Sequence, residues 1–417
     1  MGMRCAAWRP CRSVCERHGV MTMEGVTLTG IVAGWLLLGL IFEAVPCLRQ
    51  WQHLARRRSG ASNTRQTVYG QRRALFQWLG SLESVARVGL WLGVGALVAL
   101  HSGLARGDAA GVLGFVVSFA LVDQLLREIL PWARWWFVER ACGMSRSGPV
   151  TLAGDSARRL VLNAVIAVLA AAWVLWPFAV WPFVLAWPAS GLLMIAGVAI
   201  LFWARPNLID PLFQRFKPLA PGELRTRLDA MMQRCGSRLE DVLVVDSSRR
   251  SQMANAYFTG LGRSKRVVLF DTLIAHLSPA ELEAVMAHEL GHYRCGHLQR
   301  FYGAQAGLLL AGYLGLGALA AGLGMASSPV FLAVAAYVLL PALAWPLRPW
   351  QSAVRRRYEY EADAYAAHHA ERAALVSALE KLLANNLNAP TMDRWYAAVF
   401  ATHPPGASRL QQLRVED

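Results

Sequence analysis

Charge is scarce in this chain of 417 residues: Asp, Glu, Lys and Arg make up 17% of it, against 55% hydrophobic residues and a mean hydropathy of +0.33. A soluble globule scatters its apolar residues in clusters, whereas here they run in long uninterrupted blocks, which excludes an ordinary soluble fold. Acid is scarcer than base, 27 residues against 42, for a net charge of +15. The basic residues form neither a recognition helix nor an aromatic-basic sheet pattern, so no nucleic-acid partner is expected. They gather instead between the apolar blocks. Paired cysteines are missing as well. Cys5, Cys11, Cys15, Cys47, Cys142, Cys235 and Cys295 are odd in number and irregular in spacing, which excludes a disulfide framework. The first three fit no standard zinc spacing either. Internal repeats and low-complexity linkers are absent too.

What the chain does have is span-length apolar sequence. A membrane helix needs about 20 mostly apolar residues, and segments 26–45, 88–104, 111–130, 160–180, 183–203, 305–323 and 330–347 qualify. Pro177, Pro182 and Pro188 are expected to bend or break the fourth and fifth. Segment 49–73 contains seven arginines and no acid, and Arg134, Arg140, Arg146, Arg158 and Arg159 mark the third connection. Both are therefore expected on the cytoplasmic side, together with 204–304 and the tail after 347. The connections at 105–110, around Trp181 and at 324–329 are short and nearly uncharged, as outward loops are. Arg4, Arg9, Arg12 and Arg17 run against this orientation. A true start at Met21 or Met23 removes the conflict, so residues 1–22 are expected to be disordered or to precede the start.

The fold expected is mainly α: a polytopic membrane protein of about seven transmembrane helices with a small α+β domain. Its parts are spans one to five with cytoplasmic loops (23–203), the first half of that domain (204–304), spans six and seven (305–347), and its second half (348–417). In the first half, 221–235 reads as a helix, and 241–246 and 266–270 read as short Val- and Leu-rich strands. Ser278, Pro279 and Glu281 then open a helix as N-cap, N1 and N3 of a capping box.

That helix carries His288, Glu289 and His292. Histidines at i and i+4 share one helical face, so both imidazoles reach a single ion. Glu289 lies about 100° around the helix from His288, beside the metal's water but not a ligand, as a general base must. Zinc brings the pKa of such a water toward about 7. Three protein ligands plus water are the rule for catalytic zinc. Cys295 and His297 qualify by type, but helix geometry turns them away and the spacing is not that of a metzincin. The better source is the Tyr358–Tyr365 stretch. Glu359 supplies a ligand carboxylate there, and Asp363, one turn on, is placed to accept from a ligand imidazole and fix its tautomer. Glu361 points away, toward solvent or the arginines at 355–357.

At this point the residues resemble the type I CAAX prenyl endopeptidases, integral-membrane zinc proteases. The likeness rests on separated motifs in order: Pro211-Leu-Phe-Gln-Arg-Phe-Lys-Pro218-Leu, Asn255-Ala-Tyr-Phe-Thr-Gly260, Arg266-Val-Val-Leu-Phe-Asp-Thr-Leu273, His288 to His292, Glu359 to Asp363, and His403-Pro-Pro with Arg409-Leu. Phe137-Val-Glu139-Arg with Gly143 adds a further segment. The resemblance implies a helical chamber in the bilayer closed off by the zinc domain, with one Zn2+ on His288, His292 and Glu359 and Glu289 as base. It also implies that Asn255 and Ala256 line an edge strand taking substrate backbone by β-augmentation. His403 would donate to the developing oxyanion, and Arg409 would neutralise a substrate carboxylate or an Asp of the site. The partners implied are the bilayer and a peptide or protein substrate, lipidated in the family.

Two departures matter. Gly406-Ala407 follows His403-Pro-Pro where relatives carry a larger apolar residue. The tail to Asp417 bears no endoplasmic-reticulum retrieval signal, and the Arg- and Ala-rich sequence points to a bacterial inner membrane with the zinc site on the cytoplasmic side. Two other readings compete: an HtpX-type quality-control protease, which has fewer spans, and a transporter or scaffold with structural zinc, which would want four protein ligands.

Overall fold

The structure, a computed structural model, describes residues 23–57, 64–104, 108–236, 241–259, 266–324 and 328–415. The expected leader, 1–22 with its three cysteines, lies outside them. Helices α1 (Met23–Arg57), α2 (Thr64–Val88), α3 (Ala96–Leu104), α4 (Ala109–Arg134), α5 (Pro149–Leu175) and α6 (Phe183–Ala204) come first. After α7 (Glu223–Arg234) and a small sheet follow α8 (Asp271–His276), α9 (Pro279–Arg294), α10 (His297–Gly322) and α11 (Pro329–Leu343). The chain ends in α12 (Arg348–His369), α13 (Arg372–Asn385), α14 (Arg394–Phe400) and α15 (Gly406–Val415).

Five segments are long and apolar enough to cross a membrane unbroken: Thr29–Arg56, Ala110–Arg140, Pro149–Val180, Phe183–Leu212 and His297–Gly322. Two more qualify only as bent pairs, Thr64–Gly93 with Ala96–Leu104 (49°) and Pro329–Leu343 with Trp345–His369 (42°), for a total of up to seven. Both bends have local causes. Gly95 sits at φ +79°, a left-handed conformation open to glycine, and Pro346 follows Trp345 in a tight turn where the seventh span gives way. The prolines expected to disturb spans four and five do so mildly: Pro177 begins a single extra turn, Pro182 precedes the start of α6, and Pro188 is absorbed inside it.

Lipid offers no hydrophobic drive between helices, so other contacts fix their packing. Asp123 on α4 accepts from Arg87 Nη2 at 2.7 Å and Trp91 Nε1 at 3.0 Å, and its neighbour Arg127 closes the cluster at 2.8 Å. Trp187 on α6 stacks on Tyr313 of α10, with centroids 4.3 Å apart and planes 5° apart. Its Nε1 donates to the Tyr313 carbonyl at 2.9 Å.

Outside these spans lie strands β1 (Phe216–Pro218), β2 (Asp241–Val245), β3 (Ala256–Thr259) and β4 (Arg266–Phe270), ordered β1-β2-β4-β3. β2 and β4 run parallel with Leu243 beside Val268, and β3 lies antiparallel on β4 with Ala256 beside Leu269. This makes β3 an edge strand. Leu228, Met231, Val242, Val267, Leu269, Leu273, Leu282 and Leu290 form the core between the sheet and helices α7 and α9. β1 escapes the sequence pattern because it is three residues long and ends on a proline.

Candidate active site

The catalytic-motif helix begins where its sequence requires. In α9, Ser278 Oγ accepts the Glu281 N–H, and Glu281 accepts the Ser278 N–H at 2.7 Å. The same carboxylate accepts from Ser377 at 2.6 Å and Lys381 at 2.8 Å, both on α13. Burial pushes Glu281 up, but the Lys381, Ser377 and Ser278 hydrogen bonds outweigh it and bring the carboxyl down to about 2. Ten residues on, Gly291 lets α9 lie directly on α12. A Cβ there would stand 3.0 Å from Tyr365 Cβ and 3.1 Å from Ala362 Cα. This close crossing brings two sequence-distant motifs together.

His288, His292 and Glu359 converge, with one ligand atom from each inside a 4.8 Å cluster. His288 Nε2 and His292 Nε2 are 3.2 Å apart, and the Glu359 carboxylate lies 3.3 Å from His292 Nε2 and 3.6 Å from His288 Nε2. A tetrahedral ion with bonds of about 2.0–2.1 Å sets its ligand atoms about 3.3 Å apart, so the spacing fits. Proton bookkeeping agrees. His288 Nδ1 is 2.8 Å from Asp363 Oδ1; a carboxylate only accepts, so a hydrogen bond across this gap needs the hydrogen on Nδ1 and leaves a lone pair on Nε2. Lone pairs and a carboxylate directed at one point are satisfied by a cation. Three candidate ligands would leave a coordination position for water, whereas a structural site would take four.

Asp363 is held in turn by Arg409, whose Nε and Nη2 reach its two oxygens at 2.7 and 2.6 Å. Burial opposes the guanidinium charge, but the Asp363 pair outweighs it and raises Arg409 above its ordinary range. Of the two roles open to Arg409 in the sequence, the structure displays the pairing with an Asp of the site. His403 stands over the ligand carboxylate with Nδ1 2.7 Å from Glu359 Oε2, its ring 64% exposed. Glu289 lines the cleft beside the ligands, and burial pushes its carboxyl up against the opposing pull of His288 and His292.

The cleft encloses about 500 Å3, and its walls include Asn255, Ala256, Leu379, Leu383, Tyr396 and Phe400. Asn255 immediately precedes edge strand β3, and its carbonyl accepts the Phe270 N–H at 3.1 Å. One residue earlier, Asn386 takes both backbone groups of Ala254 at 2.9 Å, closing that part of the edge. The space beside Gly406 is filled by the methyls of Leu383, so that part of the cleft wall comes from a different helix. Cys295 caps the end of α9. His297, a ligand candidate by type, stands behind His292 and not at the ion.

Residues 218–417, which hold all of these side chains, match peptidase family M48. The chain is similar to the CAAX prenyl protease 1 homolog of Oryza sativa subsp. japonica, 34% identical over 236 residues covering 54% of this chain and 55% of the rice protein. It is also similar to the CAAX prenyl protease 1 homolog of Homo sapiens, 26% identical over 387 residues, 77% of this chain and 80% of that one. The chain thus spans about half the length of the rice relative it matches. Among solved structures, the crystal structure of S. mikatae Ste24p superposes with a TM-score of 0.79 at 24% identity, covering 92% of this chain and 98% of that one. That likeness extends the shared fold through the membrane helices. The candidate spans number five, or up to seven with the bent pairs.

Proposed function

We propose that this chain is a multi-pass membrane zinc endopeptidase of the CAAX prenyl protease type, and the observation that carries the reading is the cation-demanding cluster of His288, His292 and Glu359 in the cleft that Glu289 lines. His288, His292 and Glu359 hold the metal. Zinc, when bound, supplies a Lewis acid and an acidified water. Glu289 takes the proton of the attacking water and returns it to the leaving amine. His403 donates to the carbonyl oxygen as charge develops. Arg409 keeps Asp363 ionised, and Asp363 keeps His288 in the Nε2-presenting tautomer. The substrate adds an extended backbone along the outer edge at Asn255 and Ala256, replacing the Asn255 side chain that now accepts the Ala256 N–H.

The substrate we infer is a peptide or protein bearing an apolar, prenyl-type modification, in keeping with the printed names of the relatives and with the Leu379, Leu383 and Phe400 wall. The arginine-rich connections put the site on the cytoplasmic face, in a bacterial inner membrane by composition. The test is cleavage of a quenched fluorescent farnesylated peptide by purified protein, with and without chelator and added zinc. Glu289→Gln is expected to lower kcat by about 10²–10⁴-fold while zinc stays bound. Loss of the lipid from the peptide is expected to raise KM. Cleavage indifferent to both the chelator and Glu289→Gln would overturn the assignment.

A further inference from the structure

The two histidines of the site are supported in unlike ways. His288 leans directly on a carboxylate, Asp363. His292 has no carboxylate on its outer side: its Nδ1 faces Nδ1 of another histidine, His297, at 3.0 Å. The far nitrogen of that ring, His297 Nε2, lies 3.0 Å from Glu361 Oε2. Glu361 is held at its other oxygen by Arg357 Nε, 2.7 Å away.

For two neutral imidazoles, proton bookkeeping leaves one arrangement. Glu361 is an acceptor, so His297 Nε2 carries the hydrogen. A neutral His297 then offers a lone pair at Nδ1. His292 Nδ1 must donate to it, which leaves His292 Nε2 as a lone pair directed at His288 Nε2 and Glu359. We propose that His297 and Glu361 form a positioning relay that fixes the tautomer and ring plane of His292 for metal binding, a role for two residues outside the ligand set.

Local structure explains how His297 gets there. The catalytic helix ends at Arg294, and Gly296 at φ +65° reverses the chain so that α10 opens on His297. Glycine is the residue that takes this turn at little cost. The turn carries His297 back beneath His292, where it is 3% exposed. Tyr358, next to the ligand Glu359, stacks on the ring with centroids 4.1 Å apart and planes 7° apart, so the ring plane is set before any metal arrives. The face of α12 opposite Glu359 thus takes part in the site through Tyr358 and Glu361.

The inference rests on His292 being a ligand, and the experiment separates the two claims. Zinc affinity of the purified full-length protein is read by competition with a chromophoric chelator, alongside His288→Ala as the ligand control. His297→Phe keeps the stack on Tyr358 and removes both nitrogens. It is expected to weaken zinc binding by about 10–100-fold, the usual cost of losing such an outer partner. Glu361→Leu, at a partly exposed position that tolerates an apolar side chain, is expected to weaken it by less, because His297 keeps its lone pair in one of two tautomers. Glu361→Gln, which retains an acceptor, is expected to bind zinc as the parent does. The double variant His297→Phe with Glu361→Leu should be no worse than His297→Phe alone, since Glu361 acts only through His297. A parent that loses zinc on His288→Ala yet binds it within about twofold as His297→Phe overturns the relay and leaves the metal site standing, as does full additivity of the two relay changes. Equal zinc binding by the parent and His288→Ala overturns both.

Discussion

The region around the sheet hides its apolar side chains, and the membrane helices display theirs. Leu228, Val267 and Leu269 are wholly buried between sheet and helices, whereas Val184, Leu192, Val161 and Leu169 are all more than 60% exposed along the spans. The difference follows from the solvent each region meets. Water drives Leu269 inward at about 25 cal/mol per Å2 of apolar surface removed. Lipid is as apolar as leucine and drives nothing, so the helices are located by a small number of polar and aromatic contacts. Buried charge follows one rule in both places, since it occurs in paired knots: Arg87 with Asp123 in the spans, and Glu281 with Lys381 and Asp363 with Arg409 outside them.

That contrast can be broken at its strongest point first. Asp123→Leu leaves Arg87 buried without its partner and should cost about 3–5 kcal/mol, the usual penalty for half of a buried pair, read as lost thermal stability in detergent. Leu269→Ala opens a cavity in the water-driven core and should cost about 2–5 kcal/mol by the same measurement. The Glu281 knot should show a pH signature. Its folded carboxyl sits at about 2, below the ordinary value near 4.3. A depressed carboxyl stabilises fully above its unfolded value and loses that contribution as pH falls from about 4.5 to about 2, worth up to about 3 kcal/mol. Glu281→Gln should flatten that stretch of a pH–stability curve, and an unchanged slope would refute the knot. Smallest of all, Leu192→Ala on the lipid-facing surface should change stability by less than about 0.5 kcal/mol. A large loss there would mean that this face is covered by protein.

Much of this was legible in the chain. The spans were visible because a bilayer demands about 20 apolar residues in sequence, and α9 was visible because its capping box and its i, i+4 histidines obey helical geometry alone. Glu359 and Asp363 were legible as a pair for the same reason, since one helix face carries both. The bends were less so. Gly95 breaks the second span where the hydropathy runs on unchanged, because a positive φ leaves no trace in apolar character.

The sequence by itself determined the elements and the chemistry each could offer: helices of fixed period, their caps, their apolar lengths, and ligand types at ligand spacings. Only the tertiary structure decided which offers were taken up. His297 and Cys295 qualified as ligands by type alone and helix geometry already turned them from the ion, but only the turn at Gly296 decided that His297 lies behind His292 and Cys295 at the helix end. Arg409 had two open roles until α15 delivered it to Asp363. Space beside Gly406 was filled from Leu383 on another helix. The reason is one of range. Periodicity and capping act within a few residues and are written in local order. The partner of a histidine nitrogen 64 residues away depends on where two helices cross, and that crossing is set here by the missing side chain of Gly291.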